Sequence, residues 1–225
     1  MARPAKTRAP LVPRSAQQRD RRDRVLRVAS HLVSTTGLEG LQMTDVAKEA
    51  DVGIATLYRY FPSKTHLMVA VQAQQVERFA EQVTSSIDLG TPRETLVADA
   101  LVDAARSMLR RPLLGSALVL SSNIANPAAV PDVTRIDSTF RQMIMTLLGI
   151  DDPTQRDVTA VRLLLQVWHG VVMAALNGRM SFIDAESDVR LAAEVLLPLR
   201  SSGSGQPPTD ERPTLALGAA GSVAP

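Results

Sequence analysis

The chain has 225 residues, 45% hydrophobic and 21% charged, an ordinary balance for a globular protein of one or two domains with a full apolar core. It contains no cysteine, which excludes a disulfide scaffold, a thiolate metal site and a cysteine nucleophile, and fits a reducing compartment. The net charge of +2 hides an asymmetry: residues 1–30 carry nine Lys or Arg against Asp20 and Asp23, a net of +7, so the rest holds −5. That basic end reads either as a polyanion-binding arm or as a solvated leader.

Residues 1–15, with Pro4, Pro10 and Pro13 among basic and small residues, read as a disordered arm. The apolar pattern from there on is helical rather than alternating. A first helix is expected from Ala16 to Thr35, ended by Gly37, with Val25, Leu26, Ala29, Leu32 and Val33 as its buried stripe. Two short helices follow, Met43–Ala50 and Ile54–Phe61, the second stopped by Pro62. Ser63 is placed to cap a longer helix reaching Ser85.

"TPRE" at 91–94 has the pattern of a capping box, with a helix expected to about Arg111. Pro112 opens another toward Ser122, and the next ends at Leu148 before Gly149. "DDPTQ" at 151–155 caps a helix to Leu176, and a last one covers Asp184–Leu197. Residues 201–225, rich in Ser, Gly, Pro and Ala, read as a disordered tail. The class is all-α, about nine helices without a strand. No uninterrupted apolar run reaches the roughly 18 to 20 residues of a membrane span, and the basic N-terminus lacks the apolar segment of a signal peptide. An intracellular, cytoplasmic protein with no membrane partner is expected.

The two short helices carry the chemistry. In "MTDVAKEADVGIATLYRYF" Val46, Ala47 and Ala50 face inward, Asp51 stands where a turn needs a residue near the left-handed region, and Leu57 and Phe61 anchor the second helix. Gly53, Ile54, Ala55, Thr56, Tyr58, Arg59 and Tyr60 fall on the start and outer faces of that helix. A positive, hydroxyl-bearing helix of this size fits a DNA major groove. Ile54 and Ala55 offer contact to thymine methyls, Thr56 a hydroxyl, and Arg59 a guanidinium for either a guanine or a phosphate. Tyrosine hydroxyls and Lys64 suit phosphates. Half-buried packing is the alternative for Tyr58 and Tyr60, and a solvated surface charge for Arg59.

This segment resembles the N-terminal domain of the TetR family of bacterial transcriptional regulators, through Val46, Ala47, Ala50, Val52, Thr56, Leu57, Tyr58, Tyr60, Phe61, Ser63, Lys64 and Leu67. The resemblance implies a helix-turn-helix DNA-binding domain over 16–62 and a ligand-binding and dimerisation domain over 63–200. It puts Thr44, Tyr58, Tyr60 and Lys64 on phosphates, with the basic arm near the folded domain, Arg22 and Arg24 included, touching DNA. Three positions depart from the family pattern: Gln42 is a weaker N-cap, Asp51 replaces the turn glycine, and Gly53 then apolar Ile54 open the second helix. Base readout is therefore expected to lean on methyl contacts and shape.

The helices over 157–176 and 184–197 are apolar around more than one face. Val158, Val161, Leu165, Trp168 and Val172 form one stripe, with Leu163, Leu164, Val167, Val171 and Ala174 beside it, and this predicts a homodimer, with a purely intramolecular core as the alternative. Family members hold an inducer in the C-terminal helices, and here its apolar lining would come from Phe79, Met108, Leu109, Leu113, Leu118, Met143, Leu147, Trp168 and Met173, with His169 orienting a polar group or simply serving as a contact. "LYRYFPSKTHL", "RRPLL" and "VWHGVVMAALNGRMS" further resemble the actinobacterial TetR repressors of sterol and cholesterol catabolism. That likeness implies a large lipid-like inducer or an acyl-CoA thioester, the alternative being that such an apolar pocket takes almost any hydrophobic small molecule. The family as a whole implies a double-stranded DNA operator, palindromic for a dimer. The three histidines lie on separate helices, and no metal spacing, nucleophile elbow or dinucleotide glycine pattern is present. No enzyme, cofactor or metal is expected. An architectural DNA-binding protein without an inducer, or a regulator of efflux, is the competing class.

Overall fold

Ser15 accepts a hydrogen bond from the Gln18 amide and starts α1 (Ala16–Gly40) of a computed structural model that describes residues 13–88 and 90–197. Most of the expected basic arm, and the tail over 201–225, lie outside the described residues. Gly37 is the one non-helical position inside α1, at φ 70° and ψ 178°, so the regular helix stops where glycine was expected to stop it. The chain continues as α2 (Met43–Glu49), α3 (Ile54–Tyr60), α4 (Lys64–Ser85), α5 (Arg93–Leu109), α6 (Pro112–Ile124), α7 (Asp132–Leu148), α8 (Gln155–Leu176) and α9 (Phe182–Leu196). Nine helices and no strand make up the described residues, the expected all-α class.

Local chemistry explains most boundaries. Ser63 Oγ accepts from the His66 amide at the start of α4, and Gly149 closes α7 in the left-handed conformation, φ 68°. Thr154 and Asp157 exchange side-chain-to-backbone bonds in a full capping box at α8. Two starts differ from expectation. Pro92, not Thr91, holds the cap position of α5, because the Thr91 hydroxyl donates to Asp88 Oδ2 at 2.8 Å instead. The last helix begins at Phe182, since Ser181 Oγ accepts from the Asp184 amide at 3.1 Å.

The apolar interior divides into two cores that share one helix. Val25, Leu26, Leu57, Phe61 and neighbours from α1–α3 pack with Leu67, Met68, Ala70 and Val71 of α4 and with Leu114, Ala117 and Leu118 of α6. The other face of α4, at Val69, Ala73, Val76 and Ala80, joins α5, α7, α8 and α9 in the larger core. Helix α8 is long and apolar enough to cross a membrane by length and composition, more so than its sequence suggested. Here it lies against α9, with Val161, Leu164, Trp168 and Val172 buried in the larger core.

Candidate nucleic-acid interface and ligand cleft

The corner between α2 and α3 is fixed by backbone chemistry. Asp51 has φ 50°, the only positive value at a non-glycine among the described residues, and the Val52 amide donates to the Ala47 carbonyl at 2.9 Å. From α1, Arg24 clamps this corner: its Nε donates to the Ala50 carbonyl at 2.7 Å and its Nη2 to the Asp51 carbonyl at 3.4 Å. Ala50 and Leu57 are fully buried beneath it. The corner is thus held by a side chain 26 residues upstream, and its role was not legible from the motif.

With Leu57 inward, α3 turns Gly53, Ile54, Ala55, Tyr58 and Arg59 to the surface, while Thr56 and Lys64 are half-buried. Ile54 and Tyr58 are 40% and 47% exposed, large apolar surfaces that no neighbouring element covers. Thr44 is exposed on α2. Gln42 makes no side-chain cap bond to α2, in line with its weak capping chemistry. Glycine at the α3 cap likewise supplies no side chain.

Two expected DNA contacts are corrected. The Tyr60 ring is only 4% exposed and packs in the N-terminal core beside Phe61, because position 60 falls on the inner side of α3, three residues after Leu57. Arg22 is not a free cation of the arm. Its guanidinium lies over the Phe61 ring at 5.7 Å and pairs with Asp132 of α7 at 3.8 Å, and burial holds its pKa below the ordinary arginine value. Asp132 in turn meets Arg135, which reaches Glu77 of α4 at 3.1 Å, so these charges tie the N-terminal domain to α7.

The expected ligand lining is not assembled in one place. Met143 and Leu147 are fully packed in the larger core, and Trp168, its ring tilted against Phe140 at 5.4 Å between centroids, donates its Nε1 N–H to the Leu101 carbonyl at 2.8 Å. Leu113 is exposed on α6, Leu109 and Met173 are half-buried, and none of the three is among the residues that line the cavity at Phe79. His169 lies half-buried near Asp137, whose carboxyl is pushed up by burial and pulled back by Arg141 and His169. Phe79 and Met108 do line a cavity of about 420 Å³, with Leu114 and Leu118 on its floor and Arg78, Arg110 and Arg111 around it. A second cavity of about 520 Å³ adjoins it between α1 and α4, sharing Gln75, Arg78 and Arg111. Its polar side chains include Arg27, Ser30, His31 and Ser34 of α1, spaced on one helical face, a polar stripe the sequence displayed without its partner.

Outside both cavities, α8 and α9 leave Leu163, Val167, Leu191 and Val195 between 40% and 65% exposed. Leu164 and Val171, from the second sector of α8, are instead buried within the chain.

Residues 25–71 match the family model of bacterial regulatory proteins of the tetR family, and residues 90–196 match a tetracyclin repressor-like C-terminal domain. The HTH-type transcriptional repressor KstR of Mycolicibacterium smegmatis is 33% identical over 185 residues, 81% of this chain and 90% of that protein. The crystal structure of a TetR transcriptional regulator from Rhodococcus sp. RHA1 superposes with a TM-score of 0.77 at 46% identity, covering 81% of this chain and 98% of the other. A TetR-family repressor, Thermus thermophilus FadR in complex with lauroyl-CoA, shares the fold at TM-score 0.62 and 18% identity, over 82% and 100% of the two chains.

Proposed function

Since this chain belongs to the TetR family and is a transcriptional repressor, we propose that it acts as a homodimer on a palindromic operator and is released by a hydrophobic, acyl-CoA-like inducer. The observation that carries the DNA side is the surface of α3, where Ile54, Tyr58 and Arg59 are exposed on a helix whose entry is locked by Asp51 and Arg24. Ile54 and Ala55 read thymine methyls in the major groove, and Thr44, Tyr58 and Lys64 hold phosphates. The exposed apolar face of α8 and α9 is the dimer face, and a twofold dimer sets two α3 helices on half-sites about 34–36 Å apart.

Kinship with KstR and the shared fold with acyl-CoA-bound FadR favour an inducer from lipid breakdown, with sterol catabolism as the specific reading from the sequence motifs. A coupling of about 1–3 kcal/mol between inducer and DNA lowers operator affinity by roughly 5- to 150-fold, enough to lift repression. The protein works in the cytoplasm with its DNA and catalyses no reaction.

Selection of sites from a random duplex library by the full chain, followed by footprinting, tests the DNA reading. An inverted repeat with half-sites one helical turn apart is expected. Ile54→Ala should then change preference at particular base pairs, whereas Lys64→Ala should weaken all duplexes alike and reduce the salt slope by about one contact. Unchanged base preference in Ile54→Ala would remove that residue from the groove.

A further inference from the structure

The N-terminal domain meets the rest of the chain at a polar corner as well as through the shared helix α4. Residues 125–131, between α6 and α7, fold back on Asn126. Its carbonyl accepts from the Ala129 and Val130 amides at 2.9 Å, and its Oδ1 accepts from the Ala128 amide. Val130 is buried in the larger core and Pro131, at φ −63°, holds the cap position of α7, so the corner is fixed to the body. Two side chains at the base of the DNA-binding helices reach it. His66 Nε2 lies 3.3 Å from the Ala129 carbonyl oxygen, which can only accept, so this nitrogen carries the proton. Nδ1 then accepts from Ser63 Oγ at 2.8 Å. Arg22 reaches Asp132, the first residue of α7, at 3.8 Å while its guanidinium covers the Phe61 ring at 5.7 Å. Phe61 is the residue that ends α3.

The charges along this joint alternate in sign: Glu77 of α4, Arg135 and Asp132 of α7, then Arg22 of α1. Asp132 stands at the positive, N-terminal end of α7, so the helix favours its ionised carboxyl as two guanidinium groups do. Burial disfavours the Arg22 cation, and Asp132 offsets that penalty. We propose that Arg22 and Asp132 are positioning residues for operator recognition: together they set the angle at which α3 stands on the body. The proposal rests on the operator reading above. Apolar packing of α1 on α6 holds the two parts together without prescribing one angle, because it is non-directional. An ion pair that bridges the end of α3 to the start of α7 is directional. A recognition helix held at one angle engages the second half-site without a further ordering loss, and one that tilts freely does not. Unrelated duplexes are held by phosphate attraction alone and do not sense the joint.

Fluorescence anisotropy of the full chain on its selected operator and on a scrambled duplex of equal length, at one salt concentration, tests the joint. Asp132→Asn removes a negative charge from a protein that binds a polyanion, so electrostatics alone would tighten both complexes. The joint predicts the opposite on the operator, a loss of about tenfold, with the scrambled duplex within about twofold. Arg22→Gln should lose about as much with an unchanged salt slope. Arg22→Gln/Asp132→Asn should lose no more than either alone, as one interaction removed twice. Arg22→Lys keeps the cation and should recover most of the operator affinity lost in Arg22→Gln. Moving the operator half-sites apart by one base pair should penalise the Gln and Asn variants less than the wild type. Equal losses on both duplexes would mean a damaged fold, and a salt slope reduced by about one in Arg22→Gln would make Arg22 a phosphate ligand. Either result overturns the joint, as does Asp132→Asn binding the operator as tightly as the wild type. If the wild type itself does not distinguish the two duplexes, the operator reading falls and the joint with it.

Discussion

Trp168 shows how a residue suited to a ligand pocket is spent on the fold. Its indole N–H donates to the Leu101 carbonyl within the larger core, and its ring leans on Phe140 at 47°. Trp168→Phe removes the hydrogen bond and part of the ring volume, so a loss of about 1–3 kcal/mol is expected in urea unfolding, with α3 unaffected in DNA binding. A change in inducer affinity with unchanged stability would instead return Trp168 to the pocket. Ser121 makes the opposite case. Its side chain is 1% exposed on α6 and its Oγ has no hydrogen-bond partner among the described residues. An apolar atom there avoids the desolvation cost of that hydroxyl, so Ser121→Ala should raise stability by up to about 1 kcal/mol. A marked loss in the same unfolding experiment would mean that the hydroxyl is satisfied in solution.

Helix ends were the most legible elements, because capping acts between residues three or four apart. Gly149 was expected to end α7 and does so at φ 68°, where any other side chain is strained. Arg93 lies against it and donates to the Leu147 carbonyl at 3.3 Å, placing a cation at the negative end of α7. Gly149→Ala should therefore cost about 1 kcal/mol in the same unfolding assay, and a neutral result would show that the turn relaxes freely. Thr91 failed as a cap for an equally local reason, since Asp88 takes its hydroxyl. The surface of α3 was legible for the same cause: seven consecutive helical residues hold most of it. Tyr60 was not, because one helical step separates a solvent-facing position from a core-facing one. The two adjoining cavities were illegible altogether. Arg27, Arg78 and Arg111 are distant in sequence and meet only because α6 packs on both α1 and α4.

At the scale of the whole molecule, two cores and the uncovered apolar face of α8 and α9 have to be reconciled. Helix α4 gives one side to each core, and Asp132 with Arg135 fastens α7 to α1 and α4, so the chain by itself is a continuous body. Beside the surface of α3, the chain leaves open the face of Val167 on α8 and Val195 on α9, at 40% and 65% exposure. In a twofold dimer the same patch meets itself, so a carboxylate placed there is desolvated and faces its own copy. Val167→Glu/Val195→Glu should leave the protomer folded, since both sites are already solvated in it. It should sediment at the 24.2 kDa chain mass where the wild type sediments at twice that. Losing the link between two half-site contacts also removes their effective concentration, so operator affinity should fall by about 10²–10⁴. If the double variant still sediments as a dimer, this face is not the interface, and the spacing of the two α3 helices must be set by another surface of the body.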